Sequence, residues 1–294
     1  MINIKYVKNF KFSIILSVFL MAAGVVGLVL LPFGVSLFNL SIDFLGGTLM
    51  QYDLHTTMDT EKLGEISRMV EDITGESPTV QRSGDTGVMI KTVDIDTDTR
   101  EAVQRALEAK YTVTLLTSEN VSASVGADLR DSAIMSVIIA SVLMLVYIAI
   151  RFEFKSGLAA VLGLIHDVLI MLSVYVIFQI PVDINIIATM LCILAYSINA
   201  SIVLFDRIRE NRRYMPKTEF AEIVDTSTNQ TITRNINTTI TTLLVLGMII
   251  ILGVQSIRDF AIPLAVGLAA GSFSSLFIVG PIWSSFRGKT KEKA

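Results

Sequence analysis

The sequence predicts an α-helical membrane protein with six transmembrane helices in a 1+5 arrangement, plus a small α+β ferredoxin-like extracytoplasmic domain between the first and second spans. Three observations lead there. Of 294 residues, 52% are hydrophobic and only 17% charged, with a mean hydropathy of +0.63, whereas an average soluble domain is about 25% charged. Several apolar runs reach or approach the roughly 20 residues that cross a bilayer. One long polar segment interrupts them, and in it acidic residues outnumber basic ones 17 to 8. The net charge of -3 argues against a nucleic-acid partner, which calls for a basic stripe. The lone Cys192 lies in an apolar stretch and reads as a small buried hydrophobe and not as a redox thiol.

The elements follow in order. Lys5, Lys8 and Lys11 precede an apolar run from Phe12 to Phe33, longer than a signal-peptide core of about 7–15 residues and without a small-x-small cleavage site. It is a retained first span, and residues 1–34 hold it with a cytoplasmic N-terminus. Residues 35–131 form the polar domain. Strands are predicted at Thr48–Leu54, Thr79–Arg82, Gly87–Val93 and Tyr111–Thr117, and helices at Thr60–Ile73 and near Thr99–Lys110. That β-α-β-β-α-β order is the split pattern of ferredoxin-like folds, which says little about function. His55 beside the first strand reads as a solvated side chain, and no metal-ligand cluster is evident. The acid excess keeps the domain soluble or attracts basic polypeptide.

Hydrophobic segments resume at Ala133–Ile150, Gly157–Ile177, Ile184–Phe205, Asn235–Val254 and Phe260–Trp283. They make a five-helix bundle over 132–285, with a cytoplasmic loop at about 206–233 and a basic tail at 286–294. The basic residues of the short connections set the orientation. Arg151, Lys155, Arg207, Arg209, Arg212, Arg213 and Lys217, with Arg287, Lys289, Lys291 and Lys293, share a side with the N-terminal lysines. The opposite short loops contain Arg258 as their one base. Both termini are therefore expected in the cytoplasm, with Trp283 an interfacial anchor.

Charge inside a span costs at least about 2.5–3.5 kcal/mol at the bilayer centre on insertion scales. His166 and Asp167 fall close to the middle of the third span, where they either pair with neighbouring helices and lock the bundle or line an ion path. The fifth span has only eleven uninterrupted apolar residues, Leu243–Gly253, so it must recruit Asn235–Thr242 to cross. Arg234, Asn237, Thr238 and Thr241 then share a helix face that lipid does not accept, and that face is expected to point into the bundle or a hydrated cavity. The fourth span offers Ser197, Asn199 and Ser201 opposite it. Interhelical hydrogen bonding at about 0.6 kcal/mol each is the plain reading of such a set. An arginine near a span end also has the option of snorkelling. Gly267, Gly271 and Ser275 make a small-residue seam for close helix packing. Enzyme chemistry finds no support: H-E-x-x-H, G-x-S-x-G and a glycine-rich phosphate loop are all missing.

Motifs spread along nearly the whole chain resemble the SecF branch of the SecD/SecF protein-export family. Ser41-Ile42-Asp43-Phe44-Leu45-Gly46-Gly47-Thr48 matches its D-F-x-G-G signature. Tyr147–Arg151-Phe152-Glu153, His166-Asp167-Val168 and Tyr196-Ser197-Ile198-Asn199 follow in order. So do Phe205-Asp206-Arg207-Ile208-Arg209-Glu210-Asn211, Asn229-Gln230-Thr231 with Arg234, and Ile257-Arg258-Asp259-Phe260. The resemblance implies a six-span subunit of the RND superfamily, with no cofactor and no metal, paired with six-span SecD. It implies association with the SecYEG channel and SecA, with YajC and a YidC-type insertase as further neighbours, in a membrane whose lipids surround it. The proton- or sodium-motive force would help draw preproteins across. An RND-type half-transporter of lipids or small molecules, separable by co-purification, and an uncoupled Sec scaffold are the alternatives.

One position departs from the family pattern. The fourth-span motif usually ends in aspartate after the asparagine, but here Ala200 follows Asn199. The resemblance makes Arg234 the arginine that works with that aspartate, so a carboxylate supplied by SecD would have to take its place, with Asn199 and Ser201 as hydrogen-bonding groups beside it. Asp43, Gly46 and Gly47 sit at the handover from first span to external domain, where the glycine pair implies either a hinge or a tight turn. Asp206, Arg207, Arg209, Glu210 and Asn211 form a cytoplasmic cap, for interfacial anchoring or for contact with the channel or SecD.

Overall fold

A computed structural model describes residues 4–287, so Lys289, Lys291 and Lys293 of the expected basic tail lie outside the described residues. Among the described residues, six helices are long and apolar enough to cross a membrane: Phe10–Phe33, Ser124–Ile148, Phe154–Phe178, Asn185–Tyr214, Phe220–Leu252 and Ile257–Arg287. A small antiparallel sheet lies in the chain between the first and second of them. The chain divides into two compact units. One is helical and takes residues up to Asn39, Met135–Pro181 and the chain from Asn185 onward; the other is α+β and takes Leu40–Ile134 with Val182–Ile184.

In the α+β unit, the strands are β1 (Gly47–Asp53), β2 (Thr79–Ser83), β3 (Gly87–Thr92) and β4 (Thr114–Val121). They pair antiparallel in the order β2-β3-β1-β4. Met50 and Tyr52 of β1 and Val88 and Ile90 of β3 alternate onto one face, where they meet Ile66, Val70, Val103 and Leu107 from helices at Thr60–Thr74 and Thr97–Glu108. Asp59 and Asp96 cap these helices by accepting from the N–H of Lys62 and Thr99. Burial pushes the Tyr52 phenol up to about 12. His55 is half-exposed at positive φ, as befits a turn, and sits 2.9 Å from the Thr114 hydroxyl. The last strand begins three residues later than expected and runs to Val121, because Tyr111 and Val113 pack on the core as its lead-in.

The helical unit contains α1 (Phe10–Leu30) and, following the short turn α2 (Ile42–Leu45), α3 (Thr60–Thr74) and α4 (Thr97–Glu108) of the other unit, the part of α5 from Met135 onward and helices α6 to α10. These are α5 (Ala123–Arg151), α6 (Phe154–Phe178), α7 (Asn185–Tyr214), α8 (Phe220–Leu252), α9 (Gln255–Ser274) and α10 (Gly280–Arg287). A π-helical turn, Ser275–Val279, joins the last two. α6 is the central helix, with fourteen residues buried. α1 lies on it through Ser13, Ser17, Gly24 and Gly27. A Cβ at Gly24 would stand 2.5 Å from the Leu169 carbonyl oxygen, so glycine is what allows this approach. The small-residue seam packs as expected: Gly267 and Gly271 of α9 face Ile193 and Ser197 of α7.

Three boundaries are corrected. α5 starts at Ala123 and not near Ala133, so the charged stretch to Asp131 is already helical and the α+β unit spans 40–134 with 182–184 instead of 35–131. The region read as a loop over 206–233 is almost wholly helix, with only 215–219 between α7 and α8. Its charged sequence stays helical because Ile208 and Asn211 continue the buried stripe of α7 while Ile223, Val224 and Ser227 do so on α8. Cys192 is exposed on the outside of α7, since the adjacent Ile193 and Leu194 take the buried side.

Candidate functional site

The polar residues of the helical unit fall into two groups. The first is closed around Asp167, which is fully buried on α6. One carboxylate oxygen lies 2.8 Å from His166 Nδ1; the other accepts from the Ser197 hydroxyl at 2.5 Å and from the Ser274 hydroxyl at 2.8 Å. His166 Nε2 is 2.9 Å from Ser17 Oγ on α1. Side chains of α6, α7 and α9 thus converge on one carboxylate, with α1 joined to it through His166, and neither of its oxygens is left without a hydrogen-bonded neighbour. His166 and Asp167 lie inside the bundle, while Ser197, expected opposite the Arg234 face, turns to Asp167 instead; Ser17 and Ser274 carry no mark in the sequence that selects them. The repeat Ser13, Ser17, Gly24, Gly27, one small residue every turn or two, marks only a packing side of the first span.

The second group is open. Asn199, Ala200, Arg234, Asn235 and Thr238 line a small groove between α7 and α8, with a cavity volume of about 60 Å³, enough for an ordered water or two. Arg234, Asn237, Thr238 and Thr241 are all exposed. Of the two expected surroundings, the bundle interior is not where this face points; Arg234 and Thr238 border the small groove, and all four side chains are open to the outside of this chain's helices. The side of α8 that packs is rotated from it: Thr231, Asn235, Thr239 and Leu246 meet α7 and α9. Asn235 donates to Ser275 Oγ at 2.6 Å and accepts from Ser272 Oγ at 2.6 Å, and Tyr196 donates to Thr239 Oγ1 at 2.8 Å. Ser201 is buried on α7, one turn beyond Ser197, and does not line the groove. Of the ion-path candidates, then, Asn199 and Arg234 come together with Ala200, while His166 and Asp167 belong to the closed group.

Two further motifs have defined places. In the α+β unit, the Asp43 carboxylate accepts from the Ile184 N–H at 3.0 Å. Gly46 and Gly47 hold φ of 76° and 121°, and a Cβ at Gly47 would lie 2.3 Å from the Thr92 carbonyl oxygen. Only glycine fits such a turn. In the helical unit, Asn211 donates to Ser227 Oγ and Gln230 Oε1, both at 2.8 Å, and Arg207 donates to Gln230 at 2.6 Å and to Glu210 at 2.7 Å. Asn229 holds the N-terminal segment by exchanging hydrogen bonds with the backbone of Ile4 at 3.2 and 2.9 Å. Asp206 pairs loosely with Arg151 at 3.9 Å, and Arg209 makes no ion pair among the described residues.

Comparison with known proteins agrees with this layout. The family model described as protein export membrane protein SecD/SecF, C-terminal, matches residues 101–289. The protein translocase subunit SecF of Sebaldella termitidis is 36% identical over 252 residues, covering 83% of this chain and 81% of that relative. The protein translocase subunit SecDF of Bacillus subtilis is 35% identical over 289 residues, 96% of this chain but 38% of its own length. The crystal structure of SecDF from Thermus thermophilus superposes with a TM-score of 0.88 at 31% identity, covering 98% of this chain and 39% of that one.

Proposed function

The chain belongs to the protein-export SecD/SecF family, as a multi-pass auxiliary subunit of the Sec translocase, and from that premise we propose that it is the SecF half of a SecD–SecF unit. This unit uses the ion-motive force to promote late-stage translocation of preproteins, with no reaction chemistry of its own. The observation that carries the reading is the open polar face of α8, where Arg234 meets Asn199 and Ala200 in one groove. Lipid tails do not satisfy such a face, and the SecDF relatives carry in one longer chain what a separate SecD would supply. SecD is therefore the occupant we assign to it.

Ala200 has no titratable group, so the carboxylate opposite Arg234 must come from SecD. A charge left buried and unpaired is costly. A carboxylate beside Arg234 is ionised when empty and neutral when protonated, and this change biases the SecD–SecF unit between two arrangements. The finer topology belongs to the same reading. Basic short connections put both termini in the cytoplasm in a 1+5 layout, and the strand order β2-β3-β1-β4 supports a ferredoxin-like extracytoplasmic domain able to meet an emerging chain. SecYEG with SecA, and beyond them YajC and a YidC-type insertase, are the partners this role calls for.

A reconstituted translocation assay with SecD tests it. Arg234→Ala is expected to abolish the gradient-dependent part of export, and unchanged export would overturn the ion-path assignment. Ala200 itself favours a second reading, an uncoupled scaffold. In that case an uncoupler at constant ATP leaves this subunit's contribution to export intact.

A further inference from the structure

A second charged feature of the helical unit takes no part in the site above. At the end of the bundle where α5, α7 and α10 finish and α6 begins, a cavity of about 470 Å³ opens between Arg151, Arg209, Arg212 and Arg213, with one carboxylate, Glu153, among them. Its floor is apolar and aromatic: Phe205 and Ile208 are fully buried, and Trp283 is 4% exposed. The Trp283 indole N–H is buried without an acceptor among the described residues. Glu153 accepts from Arg212 at 2.9 Å and from Arg287 at 3.1 Å. Arg209 and Arg213 make no ion pair among the described residues. The lining thus holds four positive charges against one negative, beside an unfilled donor.

We infer that this cavity binds the phosphate-bearing headgroup of an anionic phospholipid. Guanidinium groups present paired donors that match phosphate oxygens. A buried donor without a partner is expensive, and a headgroup oxygen relieves it. The choice of a lipid over a soluble anion follows from position. Phe205 ends the apolar run of the fourth span and Trp283 that of the last, so the arginines stand where membrane-length helices leave the hydrocarbon, on the side that positive residues mark as cytoplasmic. An aromatic floor beneath a basic rim suits a molecule with an apolar body and an anionic head.

Trp283 is the sole tryptophan of the chain, so its emission reads the cavity directly, without any need for translocation activity. Dioctanoyl phosphatidylglycerol titrated onto the full chain in neutral detergent is expected to change that emission saturably, whereas dioctanoyl phosphatidylcholine leaves it flat. Each basic residue at a membrane surface contributes about fivefold in affinity, so Arg209→Gln with Arg213→Gln is expected to raise the half-saturating concentration by about twenty-five-fold. Arg209→Lys with Arg213→Lys, which keeps the charge, recovers most of that loss. Flat emission with phosphatidylglycerol, or an unshifted curve for the glutamine variant, overturns the proposal. So does saturation by inorganic phosphate alone, which assigns the site to a soluble anion, or by a glutamate-rich peptide alone, which assigns it to an acidic protein segment.

Discussion

Asp167 and Arg234 both bring charge into membrane-length helices, and their surroundings are opposite. Asp167 lies at the meeting point of four helices with both carboxylate oxygens engaged by His166, Ser197 and Ser274. Arg234 lies on an outer face, in a groove whose opposite wall offers an amide and a methyl group. Closure means that nothing can enter the first without breaking hydrogen bonds already made. Openness leaves the second free for the SecD contact we propose.

The contrast is broken most sharply by Asp167→Leu. It strands a histidine and two serine hydroxyls in the bundle and is expected to cost about 3–5 kcal/mol, the usual penalty for breaking a buried pair; equilibrium unfolding of the chain in detergent measures it, and Asp167→Asn should cost less. Next comes Arg234→Ala. On the chain alone it should change stability by no more than about 0.5 kcal/mol, as exposed substitutions do. Association with SecD should weaken by about 2–5 kcal/mol, because the partner carboxylate is left unpaired; co-purification of titrated SecD reads the loss. Gly24→Ala tests packing next to the closed group: the added methyl meets the backbone of α6, which cannot rotate away, and about 1–3 kcal/mol of overpacking is expected in the same unfolding experiment.

The smallest effect belongs to the α+β unit. Lys110 holds the Glu65 carboxyl below its ordinary range, and Glu65 in turn raises the Lys110 ammonium. The contribution from Glu65 is full above its unfolded value and fades as pH falls through the lowered folded one. That from Lys110 is full below its unfolded value and fades as pH rises through the raised folded one. The pair is solvated, so Lys110→Ala should return the Glu65 titration, followed by NMR, to the ordinary carboxylate range while thermal unfolding stays nearly unchanged.

Much of this molecule was legible in its sequence because apolar length and the alternation of strands are local signals. Six apolar helices and four strands overlap the segments that period and composition mark, with the start of α5 and the last strand displaced, and the Gly46-Gly47 pair announced a backbone that only glycine allows. What was not legible depends on which side of a helix meets which neighbour. Arg234 and Asn235 are adjacent in sequence but about 100° apart around α8, and only packing decides that Asn235 joins Ser272 and Ser275 while Arg234 faces out. Ser17 escaped selection because a serine in an apolar span acquires meaning only once His166 is seen across from it. Ala200 was readable as a departure, but its consequence became specific only when the groove placed it beside Arg234.

Photo-cross-linking from the exposed face of α8 tests the central claim most directly. A photoreactive amino acid at Asn237 or Thr241, in cells that also make SecD, should yield a covalent adduct between the two proteins. Adducts with lipid alone at both positions, in cells where SecD is present in full amount, would contradict the account.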